Sequence, residues 1–411
     1  MLRRFAVQGF KSLQSVDLGL PRFTVLFGPN ASGKSNILDA VQALSRIGTS
    51  RTLAEALREP IRGYPIEAFA FPEGGLSALL STERPRFTLE ADMEVGKLRY
   101  RYRVGVTIQP RSGSLGVADE FLSSLGAKGE PTGTPAIEVV DGEIVIRRKS
   151  HPGRPRKEPL GQNFAIAADP RLGAPEYRAV EQVRHELSGW QTYYLDPRVA
   201  MRAARPPSEV DDIGVLGENI APFLYRLRAE HPKYFDAVRR TLRSLIPSVE
   251  DLAVDLDKQR GTLDIQVRQD GIDFSSRIVS EGTLRVLALS AIAANPWARS
   301  LLAFEEPENG VHPRRLELIA ELLTSLAVEH KRQVIVTTHS PLFCDAVLRR
   351  ARAKPGDIAM LNVHRAGGQT EVKPFEVTGP LFSDREIAKA LTTRGEDGLF
   401  ESLILRGLID E

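Results

Sequence analysis

A phosphate-binding loop pattern near the N-terminus constrains this chain more than any other feature. Residues 28–35 fit the spacing G-x-x-x-x-G-K-[ST], and they lie between an apolar stretch, 23–27, and a helix-like stretch, 35–44. This order of strand, glycine loop and helix suits the motif, because glycines let backbone N–H groups turn toward phosphates at a helix N-terminus. A chance match in a glycine-rich loop is the alternative interpretation.

Each residue of this loop has an expected role. Lys34 would bridge the β- and γ-phosphates of a nucleotide, and the Ser35 hydroxyl would bind Mg²⁺. The residues expected to contact the nucleotide here are Gly28, Pro29, Asn30, Ala31, Ser32, Gly33, Lys34, Ser35 and Asn36.

Two adjacent carboxylates follow a second apolar run. Residues 300–304 are mostly apolar and end at Glu305-Glu306, as in a buried parallel strand whose C-terminal edge binds ligands. We expect Glu305 to hold Mg²⁺, directly or through water, and Glu306 to orient and polarise an attacking water. A solvated acidic turn after a core strand is the alternative.

A histidine ends a third strand-like segment. Residues 333–338 are apolar and β-branched, and His339 follows them. Its position predicts that it lies at the same sheet edge, where it could touch a γ-phosphate. A structural role is the alternative for a lone histidine.

A fourth segment, Val279-Ser280-Glu281-Gly282-Thr283-Leu284-Arg285, opens an apolar helix that extends to Ala294. The four motifs, in this order, resemble those of an ABC-type ATPase of the RecF/SMC-like branch. Residues 5–13 resemble the opening strand and turn of that branch. Residues 305–313 resemble the form found in stand-alone predicted AAA-type ATPases related to the OLD family. No DxD-bearing nuclease segment follows, so the Toprim module of true OLD nucleases is not part of the resemblance.

The resemblance implies an α/β fold, a P-loop NTPase head of the ABC type. It implies an N-terminal antiparallel β subdomain, an inserted β-hairpin and a short helical arm in place of a long coiled coil. Its cofactors are ATP and Mg²⁺, and two heads sandwich two ATP molecules. Ser280 and Gly282 would contact the γ-phosphate held by the partner, Asn309 would communicate across the dimer, and His339 would be the switch histidine.

Three departures from the family pattern affect the expected site. The signature has Ser-Glu-Gly where Ser-Gly-Gly is common, and Glu305 stands where an aspartate is usual. No glutamine is clearly the lid residue near Mg²⁺, and Gln191 is the candidate.

Composition limits the classes of protein that this chain can be. Its 411 residues, 42% of them hydrophobic, predict an ordinary globular protein with one core and inserts. The net charge of +2 gives no global attraction to DNA or membranes. The single Cys344, the absence of a signal peptide and the absence of a long apolar run predict a cytoplasmic protein with no membrane span.

We expect four segments along the chain. They are an N-terminal lobe with the P-loop at 1–85, a β-rich insert at 86–195, a helical arm at 196–250, and a C-terminal lobe at 251–411. The arm is predicted from apolar stripes between 216 and 245 that are interrupted at His231-Pro232.

A β-hairpin is predicted where residues 87–94 and 97–108 both alternate. Its turn is centred on Val95-Gly96. The expected pairs are Met93 with Leu98, Ala91 with Tyr100, Leu89 with Tyr102, Asp92 with Arg99, and Glu90 with Arg101. Arg99, Arg101 and Arg103 could form a DNA-binding stripe, but acidic cross-strand partners favour ion pairing.

Further segments have more general predictions. A second hairpin is predicted at 137–146 with its turn at Asp141-Gly142, and a third at 263–274. Residues 147–157 hold six Lys or Arg in a loop that could engage double-stranded DNA through phosphates, or could simply be solvated. Segments 382–387 and 399–405 are amphipathic, and a core role is preferred to partner docking.

Three functional hypotheses follow from these motifs. The first is an ATPase whose heads dimerise on ATP, coupled to DNA engagement in repair or in defence against foreign DNA; this role depends on the resemblance. The second is an ATP-dependent switch that controls a toxin or nuclease partner. The energy subunit of a transporter fits worst, because the insert and the Glu-Asn-Gly segment differ from that class.

Overall fold

The computed structural model describes residues 1–58, 61–149, 154–297, 299–354 and 356–376, together with Gly398, Phe400 and Leu403. The chain divides into two compact units. The first contains 1–21, 28–191 and 361–374, and the second contains 22–27, 192–360 and the described residues from 375 onward. The four segments expected from the sequence stay a prediction. Among the described residues, no helix has the length and apolar character needed to span a membrane.

The secondary structure alternates between antiparallel strand clusters and helix–strand units. The strands of the described residues are β1 (Leu2–Phe10), β2 (Leu13–Gly19), β3 (Phe23–Phe27), β4 (Arg86–Val95), β5 (Leu98–Gln109), β6 (Ser114–Leu125), β7 (Pro131–Val140), β8 (Glu143–Ile146), β9 (Arg156–Pro159), β10 (Trp190–Tyr193), β11 (Val249–Asp257), β12 (Thr262–Gln269), β13 (Ile272–Ser275), β14 (Leu301–Glu305), β15 (Gln333–Thr338), β16 (Ile358–Ala366) and β17 (Gln369–Phe375). The α-helices are α1 (Lys34–Ile47), α2 (Leu53–Ala56), α3 (Gly75–Ser81), α4 (Arg178–Ser188), α5 (Ile220–Glu230), α6 (Pro232–Leu245), α7 (Glu281–Ala293), α8 (Leu316–Val328) and α9 (Pro341–Ala353).

An antiparallel sheet dominates the first unit. Its order is β2-β1-β4-β5-β6-β7-β8-β9, so the N-terminal hairpin and the inserted hairpins form one sheet. Buried side chains alternate along β4 and β5, as expected when one face of a sheet packs on a core. The ring of Phe87 packs against Phe10 and Phe69 on that buried face, with ring centroids 5.3 and 5.0 Å apart.

The β4–β5 hairpin forms, but its predicted register is wrong by two residues. Met93 lies opposite Tyr100 rather than Leu98, and Val95 lies opposite Leu98. The turn is therefore Gly96-Lys97, and Gly96 has a φ of 62°. A glycine with positive φ at the first position of a two-residue turn matches the twist of the flanking strands, which explains this register.

The arginines of β5 form ion pairs, as predicted. Arg101 pairs with Asp92 at 2.7 Å, and Arg103 pairs with Asp119 at 2.8 Å. Arg99 pairs with Glu94 at 3.0 Å. Arg99 pairs with Glu94 instead of the predicted Asp92 because the register differs. Arg101 keeps the predicted Glu90 as a second partner at 3.6 Å, since a shift of two residues leaves every side chain on its face.

Three other predictions from local patterns are confirmed. Val140 pairs with Glu143 across the Asp141-Gly142 turn. The β12–β13 pair closes at Gln269 and Ile272. Helices α5 and α6 are separated at His231, where Pro232 begins α6 because a proline ring fits the first turn of a helix.

The second unit contains the parallel strands β14, β15 and β3, which are neighbours in that order. Residues 23–27 and 333–338 are buried throughout, as expected for parallel strands covered on both faces. The register places Glu305 opposite Thr337 and Thr338 opposite Phe27. The carboxyl ends of these three strands therefore meet at one edge of the sheet, where ligands of such folds bind.

Candidate functional site

The P-loop joins the end of β3 directly to α1. Gly28 has a φ of 148° and Gly33 a φ of 105°, conformations that side chains rarely permit. A Cβ atom on Gly28 would lie 2.0 Å from the carbonyl oxygen of Val363, and one on Gly33 would lie 2.0 Å from Oγ1 of Thr370. Both positions of the motif therefore require glycine for conformation and for space.

Lys34 lies at the start of α1 and its side chain folds over the loop. Its ammonium group donates hydrogen bonds to the carbonyl oxygens of Gly28, at 2.7 Å, and Pro29, at 2.6 Å. Ser35 follows in the first turn of α1, which contains no acidic residue. The positive end of the helix dipole and the Lys34 charge thus favour an anion at this loop.

A chain of hydrogen bonds supports the P-loop within the first unit. Nδ2 of Asn36 donates to Oγ of Ser12 at 2.8 Å, and Oγ of Ser12 lies 2.7 Å from Oγ1 of Thr370. Oγ1 of Thr370 donates to the carbonyl oxygen of Ser32 at 2.9 Å. The motif identifies Asn36, but no local pattern identifies Thr370, which comes from β17.

A cleft of about 450 Å³ lies beside this network in the same unit. It is lined in part by Lys11, Ser12, Arg62, Phe69, Phe71 and Arg365. Lys11 and Arg62 each pair with the buried carboxylate of Asp39, at 2.6 and 3.0 Å. The cleft therefore combines fixed positive charge with aromatic surface.

The acidic edge of the parallel sheet belongs to the second unit. The Glu306 backbone N–H donates to the carbonyl oxygen of Thr337 at 3.0 Å, and Glu306 has a positive φ of 42°. Its Oε1 lies 2.9 Å from Nδ1 of His339, and its Oε2 accepts from Nδ2 of Asn309 at 2.6 Å. Both carboxylate oxygens are thus held in place at the end of the strand. Glu305 ends β14 immediately before them.

A second carboxylate, that of Glu308, is buried near Glu306. Glu308 accepts a hydrogen bond from the hydroxyl of Thr338, which itself accepts from the Ser340 backbone N–H at 3.0 Å. Burial raises the pKa of Glu308 to about 7. Burial also lowers the pKa of Arg285 on α7, while the nearby Glu308 acts in the opposite direction. Glu308 and Thr338 were not among the site residues predicted from the sequence motifs.

The signature segment begins α7. Oγ of Ser280 accepts from the Thr283 backbone N–H at 3.1 Å, so Ser280 is the N-cap of the helix. A Cβ on Gly282 would lie 2.4 Å from the carbonyl oxygen of Gly310. The start of the signature helix therefore packs on the loop that carries Asn309, and Asn309 contacts Glu306.

The position of the candidate lid residue, Gln191, does not by itself test its expected role. Gln191 lies within β10, and its role as a lid residue stays a prediction.

In the basic segment 147–157, residues 150–153 lie outside the described residues. Among those that are described, Arg147 pairs with Glu138, and Lys157 pairs with Glu143 at 2.7 Å. Part of the positive charge that could have engaged phosphates is therefore matched by carboxylates. Segments 382–387 and 399–405 also lie outside the described residues, apart from Phe400 and Leu403, which are buried as the preferred core role predicted.

Solved structures of SMC heads are similar to this chain. One is the SmcHead bound to the C-winged helix domain of ScpA, with a TM-score of 0.53, 14% identity and coverage of 91% of this chain and 98% of the other. Another is the Smc head domain with an extended coiled coil bound to the C-terminal domain of ScpA derived from Pyrococcus furiosus. Its TM-score is 0.53 and its identity 12%, with coverage of 94% and 99%. These matches confirm the predicted fold.

A protein-family profile matches residues 23–345, which include the P-loop, the signature segment, the double glutamate and His339. That family is described as "AAA domain, putative AbiEii toxin, Type IV TA system". Because the match covers more than half of the sequence, the chain belongs to this family of ATPases and has the fold of the SMC head.

Proposed function

We propose that this chain hydrolyses ATP with Mg²⁺ and pairs with a second copy of itself when ATP is bound. The observation that carries the proposal is the fixed carboxylate of Glu306. It follows the strand end at Glu305, and it is held by His339 on one oxygen and Asn309 on the other. A carboxylate oriented in this way can accept the proton of an attacking water.

Glu306, Lys34 and His339 would each have a separate role in ATP hydrolysis. As the water oxygen bonds to the γ-phosphorus, its proton passes to Glu306 and the bond to the β–γ bridging oxygen breaks. Lys34 stabilises the charge on the transferring phosphoryl group. His339 can contact the γ-phosphate as a donor from Nε2 while Nδ1 stays on Glu306, which requires a proton on both ring nitrogens.

Mg²⁺ fits the donor types available for it. The Ser35 hydroxyl and the Glu305 carboxylate would supply hard oxygen ligands of the kind that Mg²⁺ prefers, and the phosphates of ATP would supply others. When bound, the ion neutralises phosphate charge. The cleft beside Ser12, with Arg62, Phe69 and Phe71, offers a place for the nucleoside.

Pairing with a second copy is supported by the signature segment. Ser280 caps a helix of thirteen residues, so its hydroxyl lies at the positive end of the helix dipole. A γ-phosphate bound by the P-loop of a partner would complete this site. Gly282 packs closely on Gly310, next to Asn309, which connects the signature to Glu306.

We propose that the ATPase cycle is coupled to DNA engagement in repair or defence, with a protein-controlled switch as the second candidate. The first rests on the resemblance to the RecF/SMC-like branch. The second is favoured by the ion pairs that match the arginines of β5 and by the ScpA domains bound to both SMC heads. In the second case ATP-dependent pairing would control a toxin or nuclease partner.

The experiment is ATP turnover with and without linear duplex DNA, at low and moderate salt, with Glu306→Gln as the blank. Salt-sensitive stimulation by DNA would support DNA engagement, because phosphate contacts weaken as salt rises. Turnover that depends on Mg²⁺ but does not change with DNA would favour the switch. Turnover that remains in the Glu306→Gln blank would contradict the proposed site.

A further inference from the structure

One arginine binds the main chain just before the signature serine. The guanidinium of Arg202 donates from Nη1 to the carbonyl oxygens of Ser276, at 3.0 Å, and Arg277, and from Nη2 to that of Val279 at 2.7 Å. Its Nε donates to the carbonyl oxygen of Pro197 at 2.7 Å. A single side chain therefore binds three carbonyl groups in the short segment between the end of β13 and the start of α7.

The loop that carries Arg202 is itself ordered by one carboxylate. Oδ1 of Asp196 accepts from the backbone N–H groups of Arg198, at 3.0 Å, and Val199, at 3.1 Å, and Oδ2 accepts from that of Ala200 at 3.2 Å. The carbonyl oxygen of Asp196 accepts from the Met201 N–H at 3.0 Å. These bonds fix the backbone of residues 196–201, which precede Arg202.

The same loop also contacts the other side of Ser280. Nε of Arg198 donates to Oε1 of Glu281 at 2.9 Å. Arg202 thus holds the residues before Ser280, and Arg198 contacts the residue after it. Irregular backbone carbonyls need hydrogen-bond donors, and a guanidinium can serve several of them at once where an ammonium serves them less well.

We infer that Arg202 is a positioning residue for the signature loop, which holds Ser280 for the nucleotide bound by a second copy of this chain. The inference rests on the proposed ATP-dependent pairing. In this arrangement Arg202 acts on the nucleotide only through the backbone that carries Ser280. Its loss moves Ser280 away from the γ-phosphate of the partner copy and leaves the P-loop of its own copy intact.

The test is complementation between two inactive variants. Arg202→Ala keeps a complete P-loop and has a displaced signature, whereas Lys34→Ala has a defective P-loop and a complete signature. In a mixed dimer the P-loop of the first faces the signature of the second, which makes one complete site. Random pairing makes half of the dimers mixed, so we expect about one quarter of wild-type turnover from an equal mixture, and little from either variant alone.

Controls separate this inference from the proposal on which it rests. A mixture of Lys34→Ala with Ser280→Arg tests pairing itself. If that mixture stays inactive, shared sites do not form, and both the pairing and the Arg202 assignment are overturned. If it regains activity and the Arg202→Ala mixture does not, only the Arg202 assignment is overturned.

A second measurement distinguishes positioning from general stability. In the Glu306→Gln background, Arg202→Ala should weaken ATP-dependent dimerisation about 10-fold or more in sedimentation, with ATP affinity of the single copy unchanged within about twofold. The dimerisation affinity of Arg202→Lys should lie between that of the parent and that of Arg202→Ala. The lysine variant replaces the alanine variant in the test if the latter fails to fold. Arg260→Ala, at an exposed turn residue, is the matched control and should dimerise like the parent. Equal loss of ATP affinity and dimerisation would contradict the inference.

Discussion

The Nδ1 atom of His339 lies 2.9 Å from Oε1 of Glu306 at the carboxyl edge of the parallel sheet. A carboxylate only accepts hydrogen bonds, so Nδ1 carries the proton in this contact. Asn309 occupies the other carboxylate oxygen at 2.6 Å. The orientation of Glu306 is thus coupled both to the residue expected to contact the γ-phosphate and to the loop that packs on the signature helix.

Replacing His339 should slow the chemical step more than it weakens ATP binding. His339→Ala removes one hydrogen bond to a charged group, and we expect kcat to fall roughly 10- to 100-fold. Steady-state phosphate release gives kcat, and nucleotide titration gives the affinity. His185→Ala, at an exposed position on α4, is the control. An unchanged kcat in the His339 variant would remove this residue from the site.

The buried Glu308 should make stability depend on pH. Its folded pKa is about 7 against an ordinary value of 4.5, so the folded state retains a proton that the unfolded state releases. The free energy of unfolding should therefore fall as the pH rises from about 4.5 to about 7, by up to about 3 kcal/mol from this group. Glu308→Gln should remove that part of the slope.

Urea unfolding at several pH values measures this slope for the wild type and for Glu308→Gln. Glu209→Gln, whose side chain is exposed, is the control and should follow the wild type. Glu120 is also buried and has a pKa raised to about 7, so it contributes to the slope in both proteins. The difference in slope between the wild type and Glu308→Gln therefore reports on Glu308. Parallel slopes in wild type and Glu308→Gln would contradict the prediction.

The second glycine of the P-loop should not tolerate a methyl group. Gly33→Ala places a Cβ 2.0 Å from Oγ1 of Thr370 at a φ of 105°, so the loop must move. We expect a loss of about 2 kcal/mol or more in stability, together with a loss of ATP binding. Thermal unfolding and nucleotide titration measure the two effects.

Gly129 provides a control for the backbone contribution alone. Its φ is 83°, and a Cβ there would meet nothing within 4 Å. Gly129→Ala should cost about 1 kcal/mol for the positive φ and leave ATP binding unchanged. If both variants bind ATP normally, close packing of Gly33 is not needed for the site.

Local patterns were sufficient to predict the strands and loops that carry the motifs. The apolar runs 23–27 and 333–338 are buried strands, because a continuous apolar segment suits a parallel sheet covered on both faces. The hairpin register was harder, since alternation repeats every two residues and a slip of two leaves both faces unchanged. The position of Gly96 in the turn was the deciding signal.

Contacts between distant parts of the chain could not be predicted in this way. Thr370 supports Ser32 across 338 residues of sequence, and Thr338 meets Glu308 across 30. Arg202 meets Val279 across 77 residues. The partners of these contacts could not be read from local patterns, because each partner is specified only by the folded chain.

The most direct test of the account compares phosphate release by the wild type and by Glu306→Gln, with ATP binding and sedimentation measured on the same samples. We expect Glu306→Gln to bind ATP within about threefold of the wild type, to hydrolyse it at least about 100-fold more slowly, and to accumulate as a dimer with ATP. Hydrolysis by this variant at the wild-type rate would contradict the assignment of Glu306, and with it the proposed mechanism.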